Sequence, residues 1–432
     1  MVGASTGKKI MKSKKRILQI IPTLDRCGAE KQMTLLATHL PKDEFEVGVV
    51  VLTRSGPFEK ELKEAGIPVR VIGKRAKIDL LGYGRLKQEI RRFKPDVVHT
   101  WLFAANTYGR QAALACRVPH IIAGERCVDP WKGAWHFMID RYLTRRTDGI
   151  VTNSTGVVDF YVRNGIPVGN FTVIPNAAIL PDPSPEPLSV DEILSGIGIS
   201  RIVPTGDYHP VVDSKYDFDR ELLLSVSPES LSRQTPYVIG IVARLWPQKR
   251  IKDLLWVFET LKFVNFNYHV LIIGDGPERD DLLRCRDSWK LADRVHFLGQ
   301  RNDVPKIMSS FDILLSCSEY EGQSNSILEA MAGGVPVIAT DIPGNRDLVV
   351  DGETGILVPD CGEDFRRRRR LFVERTLNLL ENADLRKKFA ANARKRIEEH
   401  FNLNQMIDRH IDLYRALCED ANINHKQGDR RR

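Results

Sequence analysis

The feature that most constrains the fold is an alternation of short apolar strands and helical segments, present in both halves of the chain. In the first half, strand-like runs such as RILQIIPT, FEVGVVVLT and DVVHTW are separated by helical patterns such as AEKQMTLLATHL. The second half restarts the alternation with YVIGIVA, NYHVLIIG, RVHFLG, FDILLS and VPVIAT. Nearly continuous apolar strands separated by helices are typical of a parallel sheet covered on both faces. The pattern predicts an α/β chain of two doubly wound, Rossmann-like domains facing a central cleft, with ligands bound at the carboxyl ends of the strands.

The domain boundaries follow from where this alternation stops. The stretch that begins with PDPSPEPLSV is rich in proline and has weak periodicity, so we interpret it as a linker with an insertion. The first Rossmann-like domain is predicted at 16–180 and the second at 237–403, with the linker and insertion at 181–236 between them. A basic disordered tail is predicted at 1–15, a helix that can pack back on the first domain at 404–420, and a disordered tail at 421–432.

The charge of the chain is unevenly distributed. There are 64 Lys and Arg against 56 Asp and Glu, a formal net charge of +8. The segments Lys8–Arg16, Arg366–Arg370 and Lys426–Arg432 together carry +14, so the rest of the chain carries −6. A nucleic-acid-binding protein carries its charge on a folded face with interleaved aromatic residues, so we expect no nucleic-acid partner. We interpret the basic segments as solvated charge, or as contacts with anionic lipid at the inner face of the plasma membrane.

Cysteine usage and the length of apolar runs bear on the compartment. The seven cysteines stand far apart without C-x-x-C spacing, which favours a reducing compartment over a disulfide framework or a zinc site. No apolar run approaches the ~20 residues of a membrane-spanning helix. The basic N-terminal stretch also lacks the apolar core of a signal peptide. We therefore expect a cytoplasmic protein whose contact with the membrane is at most peripheral.

The segment EYEGQSNSILEAMAGGVPVIATDIPG carries two glutamates around a predicted helix start. Ser324 or Asn325 is a natural N-cap, and the end of the helix offers backbone N–H groups and a partial positive charge to a phosphate. Gly322 lets the backbone approach such a ligand closely. Glu321 would then face the group beyond the phosphates, and Glu329, buried one turn inside, can accept two hydrogen bonds from a ribose diol. Alternatively, Glu321 is a solvated loop acid and Glu329 a buried acid paired with a core cation.

Basic residues follow the first strand of the second domain. Arg244 and Lys249 lie in the loop ARLWPQKR, which opens into the cleft of a doubly wound sheet. A guanidinium and an ammonium group there could neutralise a diphosphate and stabilise it as a leaving group. Two basic residues in a loop are otherwise commonly solvated, and the neighbouring glutamate segment is what favours the functional interpretation.

Candidate residues of the first domain also follow strands. Gly28 lies between the first strand and the first helix, His99 ends a strand, and Glu125 and Arg126 follow the strand HIIAG. His99 can reach the cleft as an acid, base or sugar contact, or it can be a core histidine bonded to the backbone. No histidines stand at metal-ligand spacing, and the Asp217–Asp219 pair in the insertion lacks a preceding strand, so we predict no metal site.

The motifs together resemble those of the retaining glycosyltransferases of family 4, which have the GT-B fold. EGQSNSILEAMAGGVPVIAT is similar to the E-x7-E signature of that family, and VARLWPQK is similar to its G-R-L…K phosphate loop. FLGQRNDV resembles its turn near the nucleobase, VIPNAAI its V-I-P-N-G-V-D boundary, and CGAEKQM its N-terminal G-G-A-E loop. The resemblance covers roughly residues 16–180 and 237–415.

The resemblance implies roles for individual residues. Arg244 and Lys249 bind the donor diphosphate and act with Glu321, which holds hydroxyls of the donor sugar, as the catalytic set. Glu329 holds the ribose. The other donor-side residues are Gly28, Arg301, Gly322, Gln323, Ser324 and Asn325. Candidates on the acceptor side are His99, Glu125 and Arg126. Members of the family use no metal, so no cofactor is expected besides the nucleotide-sugar substrate.

The implied reaction is transfer of a hexose or N-acetylhexosamine, with retention, from a nucleotide diphosphate sugar to a glycan or lipid-linked glycan. UDP is the expected nucleotide because such donors are common. Departures from the family pattern occur at Cys27, at Ala177, and at Gly124–Arg126, where members often have a histidine. Two alternatives remain: an epimerase or phosphorylase on the same fold, and a non-catalytic scaffold protein.

Overall fold

The computed structural model describes residues 13–181, 188–196, 236–263 and 267–428. Most of the predicted insertion, including Asp217–Asp219, and most of the predicted tail at 1–15 lie outside these residues. The chain forms two compact units. The first combines Met1–Asn153, Val157–Ile174 and Met406–Arg432, and the second combines Ser154–Gly156 with Pro175–Gln405.

The first unit is built on a seven-stranded parallel sheet in the order β3-β2-β1-β4-β5-β6-β7. The strands are β1 Lys15–Thr23, β2 Phe45–Arg54, β3 Val69–Val71, β4 Val97–Trp101, β5 His120–Glu125, β6 Gly149–Thr152 and β7 Phe171–Val173. The helices are α1 Gly28–His39, α2 Phe58–Glu64, α3 Leu80–Phe93, α4 Leu102–Ala115, α5 Ala134–Thr144 and α6 Thr155–Arg163, and a 3₁₀ turn spans Val168–Asn170.

Strand β1 lies inside this sheet and pairs with β2 on one side and β4 on the other. Ile17 aligns with Val47 of β2 and with Val97 of β4, and its side chain is fully buried. A strand covered by helices on both faces needs apolar residues at consecutive positions, which explains Ile17, Leu18, Ile20 and Ile21 in β1 around the buried Gln19. The chain moves outward to one side through β2 and β3, then returns to the other side through β4, so the strand order reverses between β1 and β4.

The second unit repeats this arrangement in a six-stranded parallel sheet of order β10-β9-β8-β11-β12-β13. The strands are β8 Tyr237–Val242, β9 Tyr268–Ile273, β10 Val295–Gly299, β11 Ile313–Ser316, β12 Val337–Asp341 and β13 Ile356–Pro359. The helices are α7 Val190–Ser195, α8 Ile251–Phe263, α9 Arg279–Ser288, α10 Val304–Met308, α11 Asn325–Ala332, α12 Pro343–Arg346, α13 Phe365–Glu381 and α14 Ala383–His400, and a 3₁₀ turn spans Pro247–Lys249.

The order of these six strands is the 3-2-1-4-5-6 order of a doubly wound nucleotide-binding sheet. One core cluster of this unit contains the large buried side chains Phe258, Tyr268, Phe372 and Phe389, and a second cluster contains Leu271, Leu328 and Met331. The predicted α/β class with two doubly wound sheets is therefore confirmed.

The last helix, α15 (Leu403–Gly428), belongs to the first unit from Met406 onward. Gln19 Nε2 donates to the Tyr414 hydroxyl at 3.1 Å, and Arg415 forms a two-pronged ion pair with Glu44 at 2.6 and 2.9 Å. The helix continues to Gly428, into the stretch that the sequence assigned to a disordered tail from residue 421. Within the described ranges, no helix has the length and apolar composition needed to cross a bilayer.

Candidate functional site

The loops that carry the predicted donor site meet at one point of the second sheet. Strands β8 and β11 are neighbours, and the chain leaves them in opposite directions across the sheet. The loops after two such strands diverge at the carboxyl edge and leave a crevice, which is where doubly wound sheets bind ligands. The loop after β8 carries Arg244 and Lys249, and the loop after β11 carries Glu321 and Gly322. The structure therefore brings the two predicted motifs together.

Lys249 and Glu321 form a direct ion pair across this crevice. Lys249 Nζ donates to Glu321 Oε1, and the hydroxyl of Ser318 donates to the same oxygen at 2.9 Å. Both charged side chains are largely buried, with 15% and 10% of their surfaces exposed. The backbone also joins the loops, because Glu319 N–H donates to Gln248 O at 2.8 Å. A cation and an anion are thus held side by side, which suits a ligand that carries phosphates next to sugar hydroxyls.

The loop after β8 rests on a glycine turn that follows β9. Leu245 N–H donates to Asp275 O at 3.0 Å, and Gly274 has φ of +134°, a backbone conformation that L side chains rarely adopt. A Cβ atom at Gly274 would lie 1.9 Å from Ala243 O. Glycine is therefore required for the turn to support the loop that carries Lys249.

Helix α11 begins where the sequence indicated. Ser324 is the N-cap, and its hydroxyl accepts a hydrogen bond from Ile327 N–H at 3.5 Å. Gly322, just before the cap, is buried beneath a second glycine, because a Cβ atom at Gly344 would lie 1.8 Å from Gly322 O. This close approach holds the backbone ahead of α11 in place, and it explains the glycine that ends the segment DIPG.

The side chains of Gln323 and Asn325 hold the segment that enters the second unit. Gln323 Oε1 accepts from Asn176 N–H at 2.8 Å, and Asn325 Oδ1 accepts from Asn176 Nδ2 at 2.8 Å. These contacts connect two motifs that are 147 and 149 residues apart in the chain. The sequence assigned Gln323 and Asn325 to the donor through their backbone groups. Their side chains position the V-I-P-N segment, and the donor role of their backbone groups stays a prediction.

Glu329 is less buried than the sequence suggested. It is half-buried, whereas its neighbours Leu328 and Ala330 are fully buried. Successive residues on a helix point about 100° apart, so a residue between two buried ones need not share their face. This corrects the expectation of a carboxylate sunk in the apolar face of α11 and leaves Glu329 at the flank of the helix.

Arg244 and Arg301 occupy outer positions of the same carboxyl edge. Arg244 is exposed, and its guanidinium lies 5.3 Å from the centroid of the Trp246 ring. Arg301 follows β10, two strands or roughly 10 Å across the sheet from β8. It makes a two-pronged pair with Asp303 at 2.8 and 2.7 Å, which lowers the pKa of the Asp303 carboxyl. The guanidinium of Arg301 is thus already engaged by a carboxylate.

The first unit has a cavity at the corresponding place. Its volume is about 330 Å³, and it lies at the carboxyl ends of β1, β4 and β5. The lining residues include Glu125 and Arg126, the predicted acceptor-side pair, with Phe103 and Trp131 beside them. The Arg126 guanidinium lies 5.1 Å from the centroid of the Trp101 ring, and burial lowers its pKa to about 9. The structure therefore places Glu125 and Arg126 in one concave site.

A cluster of buried charges lies behind this cavity. Lys132 is fully buried and contacts the carboxylates of Asp140 at 3.1 Å and of Glu125 and Asp129 at 3.4 Å. Arg110 also pairs with Asp140, at 3.0 Å. Burial and the nearby Glu125 raise the pKa values of Asp129 and Asp140, and burial and then Glu125 raise that of Tyr161.

This cluster was not predicted, although the sequence carries a signal for it. The buried positions of α5 are Phe137, Asp140, Leu143 and Thr144, so Asp140 sits on the apolar face of its helix. An acid at such a position requires a buried cation as partner. Asp140 has two such partners, Arg110 and Lys132, and Lys132 also holds Glu125 at the wall of the cavity.

His99 lies in the core of the first unit and not at a surface. Its side chain is fully buried, stacks on Trp101 at 4.7 Å, and shares a hydrogen bond with the Tyr414 hydroxyl at 2.9 Å. Burial, with smaller effects from His410 and Arg126, holds its pKa well below the usual value. The interpretation of His99 as an acceptor contact is therefore corrected: the C-terminal helix covers it. Gly28 also belongs to the first unit, where it is exposed as the first residue of α1.

No group of three or more His, Cys, Asp or Glu side chains suited to a metal ion occurs among the residues that the structure describes. The buried pair His269 and His296, 3.1 Å apart, is a contact between two β-strands.

Two protein-family models match the chain. The model described as Glycosyl transferases group 1 matches residues 226–396, and the model described as Glycosyltransferase Family 4 matches residues 27–179. Together these spans cover most of both predicted domains.

Curated relatives and a solved structure agree with these matches. A UDP-Gal:alpha-D-GlcNAc-diphosphoundecaprenol alpha-1,3-galactosyltransferase of Escherichia coli is 28% identical over 53% of this chain and 54% of that protein. A GDP-mannose-dependent alpha-mannosyltransferase of Mycobacterium tuberculosis is 25% identical over 77% of this chain and 80% of that protein. The chain spans about half the length of the first curated relatives that it matches.

The crystal structure of HepE from Anabaena superimposes with a TM-score of 0.74 at 18% identity, covering 93% of this chain and 100% of that chain. This likeness confirms the predicted GT-B fold. One family model matches the part of the chain that forms the first sheet, and the other matches the part that forms the second sheet. The motifs of both parts lie where this fold places ligands, and the chain therefore belongs to glycosyltransferase family 4.

Proposed function

We propose that this protein transfers a hexose or N-acetylhexosamine, with retention of configuration and without a metal ion, from a nucleotide diphosphate sugar to a hydroxyl of a glycan or lipid-linked glycan. The observation that carries the proposal is the ion pair of Lys249 and Glu321 at the crevice between β8 and β11, beside the N-terminus of α11. Phosphate oxygens are stabilised by an ammonium group and by the start of a helix, and sugar hydroxyls are bound by a carboxylate. The three features lie together in one unit.

These groups have different roles in the proposed reaction. The bond between the anomeric carbon and the phosphate oxygen breaks, and the acceptor oxygen bonds to the same face of that carbon. The proton of the acceptor hydroxyl passes to an oxygen of the departing diphosphate. Lys249 and Arg244 stabilise the negative charge that develops on that diphosphate, and Glu321 orients the sugar through its hydroxyls. Lys249 thus exchanges part of its interaction with Glu321 for one with the leaving group.

The donor nucleotide we propose is UDP. The name of the Escherichia coli relative specifies UDP-Gal, and the name of the Mycobacterium relative specifies GDP-mannose. The acceptor class rests on the E. coli relative, whose name specifies a sugar on diphosphoundecaprenol, and on a Staphylococcus aureus relative named for poly(ribitol-phosphate). Glu125 and Arg126, which line the cavity of the first unit, are the residues we propose to contact the acceptor.

The donor site is tested by thermal unfolding of the protein with UDP, GDP or ADP, each with and without EDTA. A nucleotide at ~100 times its dissociation constant adds about 2.7 kcal/mol to the free energy of unfolding. We expect UDP to stabilise the protein, EDTA to have no effect, and Lys249→Met to abolish the stabilisation. Lys252→Met is the matched control, because Lys252 is an exposed residue three positions further along the same stretch.

The catalytic role is tested by transfer from radiolabelled UDP-sugars to glycan acceptors. Glu321→Gln should lower kcat/KM by at least about 100-fold, comparable to the loss of an electrostatic contact in a transition state. Glu319→Gln is the matched control, since Glu319 lies in the same loop and pairs with Arg250 at 2.9 Å. Equal activity of the two variants, or stabilisation by nucleotides only when a metal is added, would contradict the proposal.

A further inference from the structure

Arg250, the residue after Lys249, has an unusual backbone conformation. Its φ of +48° and ψ of +37° lie in the left-handed region, which glycine adopts freely and a residue with a side chain adopts at a cost in free energy. Arg250 ends the 3₁₀ turn Pro247–Lys249, and its carbonyl oxygen accepts from Asp253 N–H at 3.0 Å in the first turn of α8. Such a conformation persists only where the surrounding structure holds the residue in place, and it is concentrated at functional sites.

The side chain of Arg250 is held by carboxylates from two other segments. Its Nη2 lies 2.9 Å from Glu319 in the loop after β11, and its Nη1 donates to Asp360, directly after β13, at 3.1 Å. Arg250 is largely buried between them. Glu319 is half exposed, so its charge contributes little, and a glutamine at that position still accepts from Arg250. The contact with Asp360 is therefore the more important of the two.

Asp360 connects Arg250 to the arginine run of α13. Arg368 lies 3.7 Å from Asp360, and it also pairs with Asp253 of α8 at 2.8 Å. Arg369 pairs with the same Asp253 at 2.7 Å. We call these five residues the arginine network. Arg368 is buried, so this part of the run is interior charge and not the solvated charge that the sequence suggested.

This arrangement fixes the backbone on both sides of Lys249. The N–H of Lys249 donates to Trp246 O at 2.9 Å within the 3₁₀ turn, and Arg250 follows directly. The lysine side chain is a long flexible stem, so the place of its ammonium group depends on how firmly its backbone is held. A charged group that is fixed before a ligand arrives loses less conformational freedom when the ligand binds.

We propose that Arg250 is a positioning residue, which anchors the loop after β8 to α13 through Asp360 and Arg368 and thereby holds Lys249 ready for the diphosphate of the donor. The inference rests on the proposed function, because it takes the diphosphate as the ligand of Lys249. It assigns a role to the arginine run that is independent of any contact with lipid.

The test is titration calorimetry with UDP, or with GDP or ADP where that nucleotide is the one that stabilises the wild type. Arg250→Gly removes both ion pairs but suits the left-handed backbone, so its Tm should stay within a few degrees of the wild type. Its dissociation constant for the nucleotide should nevertheless rise about tenfold. Arg250→Lys keeps the positive charge and the unfavourable backbone, so it should bind the nucleotide more tightly than Arg250→Gly without being more stable.

This order of affinities separates positioning from a role in stability alone. If Arg250 only stabilised the fold, the affinity would follow the Tm, and Arg250→Gly would bind at least as tightly as Arg250→Lys. Asp360→Asn should weaken binding in the same direction as Arg250→Gly. The two substitutions together should weaken it no more than Arg250→Gly alone, because both remove the same anchor.

Arg367→Gln is the matched control. Arg367 belongs to the same run but is exposed, so this variant should bind the nucleotide as the wild type does. If the wild type binds none of the three nucleotides, the proposed function fails at the donor site, and the inference fails with it. If the wild type binds and Arg250→Gly binds equally well, or if the effects of Arg250→Gly and Asp360→Asn add, the inference alone is overturned.

Discussion

Replacing Lys132 with methionine removes a buried ammonium group that contacts three carboxylates. Lys132 lies 3.1 Å from Asp140 and 3.4 Å from Glu125 and Asp129, and it also donates to the Tyr161 hydroxyl. In the variant, Arg110 remains as the partner of Asp140, while Glu125 and Asp129 lose their contact with Lys132. Methionine has a similar length, so the volume of the core changes little, and the effect reports mainly on charge.

The expected loss of stability is large. Breaking a buried ion pair by removing one partner lowers the free energy of unfolding by about 3–5 kcal/mol, because a charge is left without compensation in a poorly solvated site. For a domain of roughly 200 residues, this corresponds to a decrease in Tm of about 10 °C. The same loss should weaken acceptor binding, because Lys132 holds Glu125 at the wall of the cavity.

The loss should depend on pH in a defined direction. Burial first, and then Glu125, raise the pKa values of Asp129 and Asp140 in the folded protein. A carboxyl group whose pKa is higher in the folded than in the unfolded protein stabilises the folded state at low pH. This contribution to stability disappears as the pH rises through the pKa of the folded protein. Removing Lys132 takes away a cation that lowers both pKa values. The difference in the free energy of unfolding between the wild type and the variant should therefore be largest near pH 7 and become smaller toward about pH 5.

The measurement is calorimetry of the wild type and Lys132→Met at both pH values. Lys60→Met is the matched control: Lys60 is 81% exposed and lies 3.8 Å from Glu64, so its removal should change the free energy of unfolding by less than about 0.5 kcal/mol. A Lys132→Met variant within about 1 kcal/mol of the wild type would refute the assignment of Lys132 as the compensating charge. A loss of stability in the variant that becomes larger as the pH falls would also refute it.

Two further predictions concern the buried histidines of the first unit and the glycine turn after β9. Burial lowers the pKa of His410 to about 3 and that of His99 well below its usual value, so their contribution to stability is present above the unfolded pKa and is lost as the pH falls. Below about pH 6.5, each of the two histidines should lower the free energy of unfolding by up to about 1.4 kcal/mol for every unit of pH. The variant His410→Gln should show a smaller dependence on pH, and a dependence equal to that of the wild type would contradict the prediction. Gly274→Ala should lower the free energy of unfolding by more than about 2 kcal/mol and weaken nucleotide binding, measured by chemical denaturation and titration. Gly84→Ala, in open space within α3, should stabilise the protein slightly, and similar effects of both substitutions would contradict the steric argument.

Much of the donor side could be predicted from local patterns. The N-cap at Ser324 depends on a hydrogen bond to a residue three positions away, and the strands that flank it are recognisable from their apolar runs. Once both strands are known to be parallel neighbours, the meeting of Lys249 and Glu321 follows from the fold class. The flank position of Glu329 was not predicted, because periodicity gives the face of a helix only to within about one residue.

The candidate site of the first unit was predicted less well, for a physical reason. Glu125 and Arg126 were located because they follow a strand, but the burial of His99 depends on Tyr414, which is 315 residues away. The roles of Gln323 and Asn325 depend in the same way on Asn176. Contacts of this kind are decided by which distant segments pack together, and nothing in the local sequence names the partner.

The sequence by itself determined the two doubly wound sheets, the start of α11 at Ser324 and the family, because these depend on periodicity, capping and motifs within short stretches. The tertiary structure alone decided which charges are compensated inside the first unit, which histidine is removed from solvent, and which apolar side chains remain exposed. Burial is a property of the whole packing: Lys132 and Leu80 are both unremarkable in the sequence. One is enclosed by three carboxylates and the other stands in solvent at the edge of the sheet.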